Sequence, residues 1–555
     1  MRKLLLLIAM ILLLAPMVAT AGPDTDEDVP QGGFVTFLIT SDFAMLNPVL
    51  RNSGATALMY GASIYDNPVT GEPVGDLVTH WDISDDGLHY TMYVREGVFW
   101  TDGEPVTAAD YAFTWEALKS GVLETQYTED AQNIEEINLI DDYTVEFVMK
   151  ELDCTGLNKI RLGWLPKHVY GDDYTDIMEN PLNSEPTVTN GPFMFGEWVR
   201  DDHLTLLANP DYWQGKPNID GVIFKVVPSQ AVAVQQLKTG EGDMMTIPPQ
   251  FLAELESESQ IVKYQFMVDG YDFIAFQMGD PNDPQPRLNE DGSLNEDHPP
   301  HPIFGDKRVR QAIDYAIDRQ ALIEKVNFGL GELMPADVLP AIQWAFNDEL
   351  EPRPYDMDMA ASLLDEAGWS DTDDDGVREC HGCLYAEEGA LLEATAIFSS
   401  GNEVRENIAI VLQSQLAELG FKLNIEMVER SAEFERFVSQ EFDILIRGWR
   451  GMGPDPSDEF LWSPEMDKPS GGFNFVSAYM PEATEIQMNA RHLPGCSLEA
   501  RGELYKQAQA LVAEETPYIF LWEAEDVLGY NARVKGLDPG PWSYTWNIHE
   551  WYIEE

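Results

Sequence analysis

Asn209-Pro210-Asp211-Tyr212-Trp213-Gln214-Gly215-Lys216-Pro217, continued by Asp220 and Phe224, decides how this chain is read. Three more blocks keep company with it. Gly97-Val98-Phe99-Trp100-Thr101-Asp102-Gly103-Glu104-Pro105 runs on to Thr107-Ala108-Ala109-Asp110. Leu237-Lys238-Thr239-Gly240-Glu241-Gly242-Asp243 follows the quoted stretch, and Phe304-Gly305-Asp306-Lys307-Arg308-Val309-Arg310-Gln311-Ala312-Ile313 leads into Tyr315-Ala316-Ile317-Asp318-Arg319. Around these blocks the periodicity sets the elements. The alternating apolar run 33–39 reads as an opening strand with a polar turn, 41–48, at its end. Short strands at 89–95 and 144–150 bracket a helix capped by Thr107, with Asp110 three residues on as in a capping box. Ser229 caps a helix that Gly240 stops, where a positive φ is wanted. A strand near 271–277 is followed by an Asp-, Pro-, Asn- and Gly-rich insertion, 280–301, read as a surface elaboration. Beyond it Asp306 and Asp356 cap helices, and residues 403–419 carry an apolar stripe of Ile408, Val411, Leu412, Leu416 and Leu419. Strands at 421–427 and 442–446 flank a helix at 434–439. This alternation predicts a largely parallel sheet with ligand loops at the strand C-termini.

The chain has 555 residues, too many for one core, so two or three domains are expected. A hydrophobic content of 44% excludes disorder as the default. The formal charge of −63 argues against nucleic acid and against anionic lipid surfaces. The acids are scattered, which reads as a solubilising coat. Arg2 and Lys3, an apolar run over 4–14 and Ala19-Thr20-Ala21 form an export signal, 1–21, placing the mature chain outside the cytoplasm. Export permits disulfides among Cys154, Cys380, Cys383 and Cys496. Cys380 and Cys383 can close a small loop, leaving the other two to pair or stay free. One CxxC with one His falls short of the ligand set of a structural zinc.

The four blocks, in this order, resemble those of the family 5 extracellular solute-binding proteins, the substrate receptors of peptide- and nickel-type ABC importers. The resemblance implies an α/β fold of the periplasmic-binding-protein kind, class II, with two lobes of mixed sheets and an inserted extra domain. Mapped here, one lobe comprises 24–60, 190–267 and 511–555, the inserted domain 61–189, and the opposing lobe 268–510. The chain would cross between lobes near 266–270 and 511–518. The resemblance also implies a monomeric receptor that needs no cofactor, holds a small solute between its lobes and docks on a membrane permease.

Candidate ligand residues come from several places. The segment Arg447-Gly448-Trp449-Arg450-Gly451-Met452-Gly453-Pro454-Asp455-Pro456 follows a buried strand, where α/β sheets bind ligands. It is similar to the family's ligand-facing GWxxDxxDP-like segment, with Trp449 as its Trp and Asp455-Pro456 as its closing pair. The Asp that grips a peptide amine in peptide-binding members corresponds here to Met452, with Asp455 the displaced alternative. Arg447 and Arg450 are free to meet a carboxylate bidentately, or pair with a neighbouring acid. Asp42, Phe43 and Met45 are placed by the resemblance on the facing lobe, where backbone groups offer strand addition; core packing is the alternative for Phe43 and Met45. Ser399 and Ser400 precede a helix N-terminus that can cradle an anion or simply be capped by Asn402. Trp344 lines the cleft or a core. Finally Asp371, Asp373 and Asp375, with Gly376 and Glu379, have calcium-loop spacing, although position twelve is Gly382; a structural calcium ion and a plain acidic turn are the two readings.

No GxSxG, HExxH, GxxxxGK[ST] or GxGxxG motif is present, so catalysis is not expected. A peptide is the favoured solute, with an oligosaccharide, another small organic molecule or a nickel chelate behind it. A secreted hydrolase is the remaining alternative of another class.

Overall fold

The computed structural model describes residues 29–554 apart from 69, 124, 126, 172, 173 and 541; the expected export signal lies outside them. One mixed sheet of eleven strands runs through both lobes. From one edge its order is Lys422–Val428, Glu393–Ser399, Ile444–Arg450, Ile261–Phe276, Tyr518–Asn531, Met244–Thr246, Phe34–Ile39, Gly221–Val226, His203–Ala208 and Phe193–Val199, with Glu332–Leu333 added beside Tyr518–Asn531. The parallel sheet predicted after residue 306 exists only where Glu393–Ser399 lies between Lys422–Val428 and Ile444–Arg450. Two long antiparallel strands, Ile261–Phe276 and Tyr518–Asn531, join that part to the rest, so the sheet is mixed.

Those two strands are the passages between lobes. Their ladder runs from Ile261↔Asn531 to Met267↔Glu525, slips, and resumes at Tyr271↔Glu523. Val268, Asp269 and Gly270 therefore face Ala524 across a bulge, and a bulge is where a ladder can bend. The second passage falls at Glu523–Glu525 and not at 511–518. By then Tyr518 and Phe520 have packed on one face of the C-terminal lobe, and Ile519 and Leu521 on the other. The strand period of two makes this possible: successive side chains point to opposite faces, and both faces of this half-sheet are covered. Ile274, Phe276, Ile444 and Ile446 face the helix side with Ile408, Leu412 and Leu416, whereas Tyr271, Phe273, Ala275 and Leu445 face the other.

The inserted segment forms a four-stranded antiparallel sheet, Val78–Ile83, His89–Val94, Thr144–Met149 and Ile134–Asp141. The helix Ala108–Lys119 covers it, burying Tyr111, Phe113 and Trp115. Thr107 and Asp110 form the predicted capping box. Its core is continuous with that of the N-terminal lobe, since Phe147 and Trp164 belong to the same apolar cluster as Phe37, Phe224 and Trp551.

The sequence blocks quoted above do structural work. Asn209 donates to Gly191 O at 2.9 Å and accepts from Asp211 N at 3.0 Å, setting the turn that follows His203–Ala208. Trp213 takes the guanidinium of Arg95 over its ring at 4.0 Å, tying this turn to the inserted domain. Asp220 accepts from Gly33 N, and Phe224 stacks on Phe37 at 5.2 Å. Arg310, 1% exposed, donates to the carbonyls of Phe304, Glu515 and Thr516, closing the C-terminus of the helix Leu498–Glu515. The insertion 280–301 is fastened to its own lobe: Arg287 N–H donates to Asp467 O, and its guanidinium to Ser477 O at 2.8 Å. Both cysteine pairs are bonded, Cys154 with Cys496 and Cys380 with Cys383.

Candidate ligand site

Where the N-terminal strand Phe34–Ile39 leaves the sheet, the chain turns through Thr40–Met45 and forms one wall of a cavity of about 740 Å³. Residues 38–45, 51–53 and 245–250 line it from the N-terminal lobe, with Gln230; residues 401–404 line it from the opposing lobe, and Asp526 lies next to the second passage between them. The volume is of the size that holds a small organic ligand. Among the described residues, the N–H groups of Ser41, Ala44 and Met45 meet no acceptor in the protein. They are donors a ligand backbone can use.

Asp42, Phe43 and Met45 thus lie on the cavity wall as expected positions, but the Asp42 carboxylate is already spent. It accepts from Phe43 N at 2.8 Å, Trp198 Nε1 at 2.9 Å and Asp201 N at 3.0 Å, with Arg200 3.7 Å away. Burial raises its pKa, yet these donors together hold the carboxyl below the usual carboxylate range. Asp42 therefore shapes the wall by anchoring the turn 200–202. Phe43 rests edge-on against Phe224 at 5.2 Å, so part of its ring is core.

The remaining expected residues lie off this cavity. The strand predicted to end at 446 continues to Arg450, so residues 447–450 are sheet and not loop. Arg447 Nη1 is 2.6 Å from Glu433 Oε2, and its guanidinium sits over Phe437 at 4.9 Å. Arg450 Nη2 is 3.0 Å from Asp272 Oδ2 and Nη1 donates to Tyr271 O. Neither guanidinium is free. Trp449 packs among Phe273, Phe437 and Phe475, with ring centroids about 6 Å away. Asp455 is clamped bidentately by Arg501 at 2.7 Å for each oxygen, with the Tyr505 hydroxyl donating at 3.3 Å. Trp344 stands edge-on to Tyr505 under Arg501, and a Cβ at Gly502 would come within 2.2 Å of Trp344 O. Ser399 is buried and accepts from Arg405, while Ser400 N donates to Val428 O. The helix they precede, Glu403–Glu418, is capped by Asn402, which accepts from Arg405 N at 3.0 Å.

Sequence reasoning missed Arg51, the segment 245–250 and Asp526. Asp526 shares its one signal with Glu523 and Glu525: the three are acids in a strand that is apolar from Tyr518 to Trp522. Arg51 and Asp526 are also the charges on this wall without a hydrogen bond or ion pair among the described residues, apart from the exposed Glu403.

Away from the cavity, Asp371, Asp373, Asp375 and Glu379 bring ligand oxygens within 4.8 Å of one another. Asp374 and Gly376 take positive φ, 61° and 92°, which folds the loop. Gly376 N donates to Asp371 Oδ2 and Val377 N to Asp375 Oδ1. An all-carboxylate donor set fits a hard divalent cation.

No helix among the described residues is long and apolar enough to cross a membrane. The family model for bacterial extracellular solute-binding proteins, family 5 Middle, matches residues 72–467. The chain is 28% identical over 477 residues to the oligopeptide-binding protein AppA of Bacillus subtilis, covering 84% of this chain and 81% of that one. It is 25% identical over 525 residues to the dipeptide-binding protein of Escherichia coli, covering 89% and 90%. Among solved structures, Bacillus subtilis AppA in complex with a nonapeptide superposes with a TM-score of 0.78 at 25% identity, over 95% of this chain and 100% of that one. NikZ of Campylobacter jejuni in complex with Ni(L-His) gives 0.78 at 22% identity, over 93% and 99%, a likeness of fold. The chain belongs to the bacterial extracellular solute-binding proteins, family 5.

Proposed function

We propose that this protein is an extracytoplasmic receptor that holds a small solute, a peptide by preference, in the cavity between its lobes and hands it unchanged to a membrane ABC permease. The observation that carries this reading is the wall composition: residues 38–45 come from one lobe and 401–404 from the other. A solute bound there touches both lobes only when they are close, so binding favours the closed arrangement. The unpaired N–H groups of Ser41, Ala44 and Met45 suit an extended peptide, which binds by main-chain hydrogen bonds without fixing its side chains. Relatives named for oligopeptide and dipeptide binding support the same choice. Residues 1–21 act as the export signal, and the receptor works as a monomer. The loop 371–379 holds a structural calcium ion.

Calorimetry with synthetic tri- to pentapeptides tests the reading, followed by mass spectrometry of the recovered peptide. Binding with the peptide returned intact supports it. Cleaved peptide would mark a hydrolase, and no binding by any peptide would send the search to saccharides and metal chelates.

A further inference from the structure

Resting on the peptide reading, we propose that Asp526 is the seat of the ligand's ammonium group. The residue lies opposite Phe266 on the crossing strands, where both lobes meet the cavity. Its carboxylate has no hydrogen bond and no ion pair among the described residues, although it is more than half buried. Arg450, the cation whose charge acts on it, is already committed to Asp272 and to the carbonyls of Tyr271 and Trp449. A partly desolvated carboxylate without a partner carries a free-energy cost that an arriving cation lowers. Burial raises the Asp526 pKa, Arg450 draws it down and Asp272 raises it further, the pattern of an incompletely compensated charge. Asp455, the acid that sequence offered for this task, and Asp42, the other acid on the N-terminal wall of the cavity, have their oxygens filled by protein donors.

The test compares three probes by calorimetry on the wild type and on Asp526→Asn: a tetrapeptide with a free amine, the same peptide N-acetylated, and a linear diamine. Acetylation is expected to weaken binding about tenfold or more, as loss of a charge-assisted hydrogen bond does, and Asp526→Asn to erase the difference. Equal binding of both peptides to the wild type, or a difference that persists in the variant, overturns the seat while leaving peptide binding intact. Diamine binding lost in Asp526→Asn, with neither peptide bound, supports the seat and overturns the peptide. Failure of all three probes overturns both.

A separate observation carries a second inference. Cys154 belongs to the inserted domain and Cys496 to the opposing lobe, yet they are bonded across a sequence separation of 342 residues. Beside the bond, Arg491 of the opposing lobe meets the fully buried carboxylate of Asp153 at 2.8 Å, Lys159 lies 3.2 Å from the same oxygen, and Cys154 N donates to Arg491 O. We infer that this junction is a strap: the lobes are joined at a third, covalent point besides the two strands, which limits how far the empty cleft opens. Solution scattering of the empty protein reads this directly. The double variant Cys154→Ser/Cys496→Ser is expected to have a larger radius of gyration than the oxidised wild type. Should that variant not fold, reductant-treated wild type, with alkylated Cys154 and Cys496 verified by peptide mapping, serves in its place, against an oxidised Cys380→Ser/Cys383→Ser control that keeps the wild-type radius. An unchanged radius after the bond is opened, or free thiols at 154 and 496 in the exported protein, overturns the strap.

Discussion

Asp455 separates a structural from a ligand-binding reading of the segment after the strand Ile444–Arg450. Its side chain is 12% exposed and that of its partner Arg501 2%, so solvent screens little of their attraction. Replacing Asp455 by Ala leaves the Arg501 guanidinium buried with only Ala490 O and the Tyr505 hydroxyl as partners. An uncompensated buried charge of this kind costs about 3–5 kcal/mol. In a unit of the size of the C-terminal lobe this corresponds to a fall in melting temperature of roughly 6–20 °C. Calorimetric melting reads the loss, and peptide titration well below the transition should give an unchanged Kd. The double variant Asp455→Leu/Arg501→Met removes both charges and should recover most of the stability, because apolar side chains of similar volume replace buried pairs at little cost. A ligand-gripping Asp455 would do the reverse, weakening binding about 10- to 100-fold with an intact transition, and that result would refute the argument.

Two further outcomes are expected. Glu523, 1% exposed at the second passage, has its pKa pushed up to about 8 by burial, with Ala341 N–H drawing it down and Glu332, Asp269 and Glu525 adding to the rise. A raised folded-state pKa means stability that is full below the unfolded carboxyl range and is lost as pH climbs through about 8. The wild type should therefore lose stability between about pH 5 and 8, by at most about 1.4 kcal/mol per pH unit, and Glu523→Gln should flatten that decline; parallel curves for the two proteins would refute it. Calcium added to chelator-treated protein should raise the melting temperature, and Asp373→Ala should abolish the rise; a response that survives the substitution would remove the ion from the loop 371–379.

The parts of the fold that were legible are those written in local pattern. Thr107, Ser229, Asn402 and Gly240 mark helix ends by chemistry that acts within a turn, and each stands where its spacing put it. The diagnostic blocks also proved to be packing devices: Asn209, Asp220, Phe224 and Arg310 all serve turns, strand pairing or a helix end. The site was harder to read, because whether a charged residue faces ligand depends on partners distant in sequence. Arg447, Arg450 and Asp455 look available on paper, but Glu433, Asp272 and Arg501 reach them from other elements. Asp526 differs from them in having no such partner among the described residues. The strand runs past 446, although Arg447 and Arg450 read as loop, because Phe273 and Gly270 supply ladder partners through position 450. The bond between Cys154 and Cys496 had no local signal at all.

The account stands on one claim, that solute is gripped from both lobes at once. Hydrogen exchange of the protein with and without a saturating peptide tests it most directly. Exchange is predicted to slow together at residues 38–45 and at 401–404. Protection confined to one of these segments, or absent from both at saturation, would contradict the claim.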